Sequence, residues 1–212
     1  YLSTSLVDPS LAAEPFDAHT LRRFQKYFQL SREEREAELR VLAETEQEAT
    51  GSMGDDTPVA VLSRHVRPVY DYFRQAFAQV TNPPIDPLRE QVVMSLSTQL
   101  GPEGNVFEAT AGNAVQVMLN SPVLSQRKLR QLLALPQFAT ANELLPMYFG
   151  ADETLAGALR RLCADAERAV REGAVILLLS DRYPERGLAA VPALLATGAV
   201  HHHLVKAGLR CR

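Results

Sequence analysis

The side chains best suited to chemistry fall at a few places in this sequence. Asp181 and Arg182 follow the apolar run 174–179, which reads as a strand. Ligands of parallel α/β sheets collect beyond the carboxyl ends of the strands, so a carboxylate and a guanidinium there could serve as base and substrate anchor. No second acid, lysine or cysteine is coupled to them in sequence, and an internal ion pair that orders the loop is the preferred reading. His201, His202 and His203 carry the donor atoms of a metal site. Successive helical residues project about 100° apart, so three in a row cannot converge on one ion. A catalytic zinc helix needs histidines four apart with an intervening glutamate, which this run lacks. The three rings are expected to be partly packed and partly hydrogen-bonded to neighbours. Apolar, helix-forming sequence continues past them to Gly208, unlike a purification tag.

Asp55 and Asp56 lie in the turn-rich stretch Gly51, Ser52, Met53, Gly54, Asp55, Asp56, Thr57, Pro58. Two adjacent acids lack the ligand spacing of a calcium loop, and the stretch has no phosphate-binding lysine. Cys163 and Cys211 form no CxxC pair, which argues against a thiolate metal site or a disulfide scaffold and suits a reducing cytoplasm. There is no GxSxG elbow and no GxGxxG after a strand. The most distinctive stretch is Thr81, Asn82, Pro83, Pro84, Ile85 and Asp86, with Pro87 following. Its prolines remove backbone donors and force an extended, stiff path. Such a strip suits the wall of a passage, or equally a packed connector.

The elements that would position these groups have a β/α rhythm. Residues 1–15 read as a linker or loosely docked arm. Residues 21–27 can form a short helix, and Ser31 is a helix N-cap whose hydroxyl accepts from the Glu34 amide, with Glu33 and Glu34 at the positive helix end. Leu39 and Leu42 mark an apolar side of a charged, solvated helix. Tyr70, Tyr72, Phe73 and Phe77 lie in the stretch 66–80, where Val69, Phe73, Ala76, Phe77 and Val80 recur at helical spacing and read as core. Residues 92–98 alternate as a strand, 115–119 read as a second, and a helix follows near 125–133. Residues 144–149 read as a third strand. Asp152 is expected to cap a long helix through Glu172, with Leu155, Leu159, Leu162, Ala166 and Val170 on its buried side and Gly173 ending it. Residues 174–179 are then a strand covered on both faces, and a last helix runs from about Pro192 to Lys206.

Strands separated by helices imply an α/β fold with a mostly parallel sheet, open or barrel-like and incomplete, behind an N-terminal helical segment. The expected organisation is an arm and helical segment over 1–50 and an α/β domain over 51–212, truncated at its C-terminal end. At 212 residues, 46% hydrophobic and 22% charged, the chain can bury a substantial core. A net charge of -3 gives no electrostatic support for nucleic-acid binding. The longest apolar run is too short to span a bilayer, and no signal peptide is present. The chain opens on Tyr1 and stops at Arg212, as a piece of a longer protein would.

Several segments together resemble the central domain of glutamate synthases, of the bacterial NADPH-type large subunit. They include 51–58 with Ala60, Val61, Leu62 and Ser63; 70–75; the string 77–90; Val93 to Leu96; 121–125; 177–182; and 192–204. The resemblance runs from about Leu42 to Cys211 in the family's order. It implies an internal, non-catalytic domain joining a glutamine amidotransferase domain to an FMN and iron–sulfur synthase domain. The parent would make two glutamates from glutamine and 2-oxoglutarate, in the cytoplasm, with a small FAD-containing subunit that takes electrons from NADPH. It implies that the segment itself binds no cofactor or metal and has neither nucleic acid nor membrane as partner. Thr81 to Asp86 become the candidate wall or gate of an internal ammonia tunnel. Two other classes compete: a stand-alone α/β binding or scaffold protein, and a small independent enzyme using Asp181 and Arg182. The family's central domain has a further strand after the last helix seen here, which matches the expected truncation.

Overall fold

Short polar side chains start most of the helices in the computed structural model, which describes residues 15–45, 49, 61–64, 69–72, 87–93, 95–105, 107–108, 110–182 and 187–211. The described residues divide into two compact units, one within Glu14–Pro84 and one within Ile85–Arg212.

In the first unit Asp17 caps α1 (Ala18–Tyr27), accepting from the His19 and Thr20 amides. Gln29 ends it at φ 56°, with its amide donating to Lys26 and that of Leu30 to Gln25. These are the two bonds of a Schellman stop, with glutamine where glycine is usual. Ser31 then opens α2 (Arg32–Glu34) with a complete capping box, as expected from the sequence: its hydroxyl accepts from the Glu34 amide at 3.0 Å, and the Glu34 carboxylate accepts from the Ser31 amide at 2.8 Å. A π-helical turn, Arg35–Leu39, leads into α3 (Arg40–Thr45), where Arg40 bridges Glu36 and Glu44. No residue of this helical stretch is buried, and it is the solvated surface expected. Val69–Tyr72 forms one 3-10 turn. The rest of the aromatic stretch and residues 51–58, Asp55 and Asp56 included, lie outside the described residues.

The second unit corrects several boundaries. The strand expected over 92–98 is in fact the end of α4 (Pro87–Val93) followed by β1 (Thr98–Leu100). Pro87 is pre-set for a first helical position, where its missing donor costs nothing, and Leu88, Arg89, Glu90 and Gln91 favour helix. Val92 and Val93 are two adjacent β-branched residues, too few to outweigh that. β1 pairs antiparallel with β2 (Val117–Leu119). Ser125 caps α5 (Gln126–Leu133), accepting from the Lys128 amide.

The third strand is two. β3 (Asn142–Pro146) runs parallel to β5 (Ile176–Ser180), with Asn142 opposite Ile176 and Pro146 opposite Ser180. β4 (Tyr148–Phe149) pairs antiparallel with β6 (Ala189–Ala190). The break falls at Met147, whose amide donates to the Ser180 carbonyl at 2.8 Å while its carbonyl accepts from the Val191 amide at 2.7 Å. The chain therefore changes partner at that residue. The fold is therefore α/β with an open arrangement and an N-terminal helical segment, as expected. Its parallel pairing is confined to β3 and β5 among the described residues.

The helix α6 (Leu155–Arg171) is capped by Thr154, not Asp152: the Thr154 hydroxyl accepts from the Gly157 amide at 3.1 Å. Its buried face is Ala158, Leu162, Ala166 and Ala169; Leu159 and Val170 pack beside it, and Leu155 is 36% exposed. Leu155 sits in the first turn, before the helix has reached its partners. Gly173 ends α6 at φ 104° with both Schellman bonds. α7 (Ala193–Lys206) packs against α6 and touches β5. Leu145, Met147, Leu162, Val191, Val200 and Leu204 form the main core. Leu119, Leu132 and Phe138 form a second. β5 lies between them: Leu177 and Leu179 pack on the first, Ile176 on the second. That two-sided contact explains its unbroken apolar run.

Candidate functional site

The parallel ladder and its two helices hold the candidate groups that can be located. Asp181 and Arg182 follow β5 at its carboxyl end, both half-buried, and the Arg182 amide donates to the Ser180 hydroxyl. That bond ties Arg182 back to the end of the strand.

The histidine run lies on α7, where its rings diverge as helical geometry requires. His203 points at α6, with its Nε2 2.7 Å from Glu167 Oε2. His201 is exposed and its Nδ1 accepts from Arg210 Nε at 3.2 Å. The His201 and His202 rings meet edge to face, 5.4 Å apart. Packing together with hydrogen bonding to neighbours is the expected role. Glu167 is the hub: its other oxygen takes both Arg171 Nε at 2.9 Å and a terminal Arg171 nitrogen at 2.7 Å. The Arg171 guanidinium first, then His203, holds the Glu167 carboxyl below the usual carboxylate range. The Glu167–Arg171 spacing of four is legible in sequence. The bond to His203, 36 residues away, is not.

A second polar cluster went unanticipated. Arg161 forks onto Glu153, with contacts of 3.2 Å and 3.0 Å, and the nitrogen shared with the shorter contact donates to the Tyr148 carbonyl at 2.6 Å. Glu153 raises the Arg161 pKa above its ordinary value. The cluster ties the start of α6 to β4, with the Nε and one terminal nitrogen of Arg161 committed to Glu153 and the Tyr148 carbonyl. A separation of eight residues carries no helical or strand signal.

Neither cysteine is poised as a nucleophile. Burial against the main core pushes the Cys163 thiol up. Cys211 is exposed, and its hydrogen bond to the Glu103 carboxylate pushes its thiol up as well. Among the described residues no group of three or more His, Cys, Asp or Glu side chains could hold a metal ion, and no helix is long and apolar enough to cross a membrane. Thr81, Asn82, Pro83, Pro84, Ile85 and Asp86 lie outside the described residues, directly before α4.

Comparison with known proteins completes the picture. Residues 23–212 match the family model described as the glutamate synthase central domain. The chain is 45% identical over 216 residues to the chloroplastic ferredoxin-dependent glutamate synthase 2 of Arabidopsis thaliana, covering 99% of this chain and 13% of that protein. It is 46% identical over 197 residues to the chloroplastic ferredoxin-dependent glutamate synthase of Spinacia oleracea, covering 90% and 12%. Against the glutamate synthase (NADPH) large chain of Azospirillum brasilense the identity is 45% over 207 residues, covering 95% and 14%. The chain thus spans about one eighth of the length of the curated relatives it matches.

Proposed function

Because the chain belongs to the glutamate synthase central-domain family, we propose that it is an internal, non-catalytic domain of a glutamate synthase. On this reading it links a glutamine amidotransferase domain to an FMN and iron–sulfur synthase domain and helps form the ammonia tunnel between them. The parent makes two L-glutamate from L-glutamine and 2-oxoglutarate, in the cytoplasm. The observation that carries the reading is proportion: a match along almost the whole chain occupies only 13–14% of relatives of both electron-donor types, which leaves room for catalytic domains elsewhere.

The side chains fit a cofactor-free segment. An iron–sulfur cluster takes about four thiolate ligands, and this sequence has two cysteines. Both thiols are pushed up, against the thiolate form a cluster needs. On this reading the FMN, the cluster and the FAD of a small subunit belong to other parts of the parent. The relatives include ferredoxin-dependent and NADPH-type chains at 45–46% identity, so reducing the complete protein with NADPH and with reduced ferredoxin is the test of the NADPH-type choice.

Residues 51–212 are the central α/β domain of this proposal and 1–50 its arm. Thr81, Asn82, Pro83, Pro84, Ile85 and Asp86 are its tunnel wall or gate, since a proline-stiffened backbone offers carbonyls without paired donors to a narrow passage. The test is Asn82→Trp in the complete enzyme, with glutamine hydrolysis and glutamate formation measured together. Escape of free ammonia, with hydrolysis outrunning synthesis, is the expected result. Rates that stay coupled one to one refute the gate.

A further inference from the structure

Two helices of the same core treat solvent differently. The exposed positions of α6 include Arg160, Arg168 and Arg171, the charged surface expected of a helix facing water. α7 has no Lys, Arg, Asp or Glu from Ala193 to Val205. One of its faces is buried through Ala196, Val200 and Leu204. The opposite face carries Leu194, Gly198, His201 and Val205, at spacings of four, three and four that align them in one stripe. Leu194 and Val205 are each 50% exposed, and a side chain built at Gly198 would meet nothing within 4 Å. Glycine in a helix interior weakens it relative to alanine and is used where another backbone approaches closely. Two half-exposed apolar side chains flanking an open glycine, on a stripe without Lys, Arg, Asp or Glu, suit a face that is covered by another surface.

We propose that this outward stripe of α7 is a docking face, covered by an apolar, uncharged surface of a flanking domain of the same polypeptide. The inference rests on the reading of the chain as an internal segment of a longer protein. The relatives are about seven times longer, and in a chain of that length a flanking domain would be tethered at high effective concentration. Gly198 lets the neighbour's backbone come close, between Leu194 and Val205. Arg210, hydrogen-bonded to His201, stands at the rim of the face.

Cysteine accessibility tests this. Leu194→Cys and Val205→Cys are made in a Cys163→Ala, Cys211→Ser background, with Arg160→Cys on α6 as the exposed reference. Each is reacted with a maleimide in the 212-residue chain and in the complete polypeptide. All three sites should react at similar rates in the 212-residue chain. In the complete polypeptide positions 194 and 205 should slow by at least about ten-fold while position 160 does not. Thr197→Cys, exposed on the same side, serves if either variant fails to fold. Equal rates at all three sites in the complete polypeptide overturn the proposal. So does protection in the 212-residue chain that grows with its concentration, which would make the occupant a second copy. A natural reading frame that adds no flanking domain would instead sink the underlying reading, and the two failures are distinct.

Discussion

Replacing Leu162 by alanine should remove the centre of the main core. Leu162 is 1% exposed on α6, within the cluster of Leu145, Met147, Val200 and Leu204. The change deletes three carbons, worth about 2.4 kcal/mol at about 0.8 kcal/mol per methylene. Its neighbours Ala158, Ala166 and Ala196 are too short to move into the space. The cavity therefore stays largely open and brings the expected loss to about 3–4 kcal/mol. Leu155→Ala is the matched control: the same deletion on the same helix, at a position 36% exposed, should cost under about 1 kcal/mol. Alanine favours helix at both positions, so the difference isolates burial. Hydrogen exchange of the α6 amides, followed by NMR, reads the opening of this unit separately from residues 14–84. Equal costs for the two variants would mean that α6 buries a different face from the one described, and so would a Leu162→Ala cost below about 1 kcal/mol.

Two further outcomes follow from the same helix. Thr154→Ala should cost about 1 kcal/mol through the lost cap, while Asp152→Ala should cost a few tenths; urea unfolding that ranks them the other way round would restore Asp152 as the cap. Glu167 is held below the usual carboxylate range by Arg171 and His203, so its contribution is fully present above that range and is lost as pH falls through its lowered value. The urea midpoint should therefore drop further between pH 7 and pH 3 in the parent chain than in Glu167→Gln; superimposable acid limbs would show that the tie to Arg171 and His203 does not stabilise the fold.

Much of this architecture was legible because its causes are local. The capping box at Ser31, the helix near 125–133, the stop at Gly173, the long helix read through Glu172 and the divergence of the histidine rings each depend on residues within about one helical turn. The misplaced cap is instructive, since Asp152 and Thr154 are both good caps two residues apart, and only the packing of Ala158 and Leu162 on the core sets which of them stands at the start. Residues 92–98 misled because two adjacent valines and the brief alternation of Met94 and Leu96 with serines are compatible with either element, and the proline at the head of the segment was the better signal. The site was less legible than the fold. Its recognisable string, Thr81 to Asp86, speaks through resemblance and has no catalytic side-chain pattern of its own.

Composition, the helix start at Ser31 and stop at Gly173, the apolar β5 run and the kinship with glutamate synthase central domains were all determined by the sequence alone. Hydrogen bonds that close within four residues, and strings of side chains, are complete in one dimension. Tertiary structure alone decided that Met147 passes the chain from β5 to β6, that β1 and β2 run antiparallel, that Arg161 grips Glu153 and that Glu167 meets His203. Those contacts join residues whose separation in sequence carries no periodic signal. They form only after the apolar faces of α6, α7 and the strands have been brought together by burial.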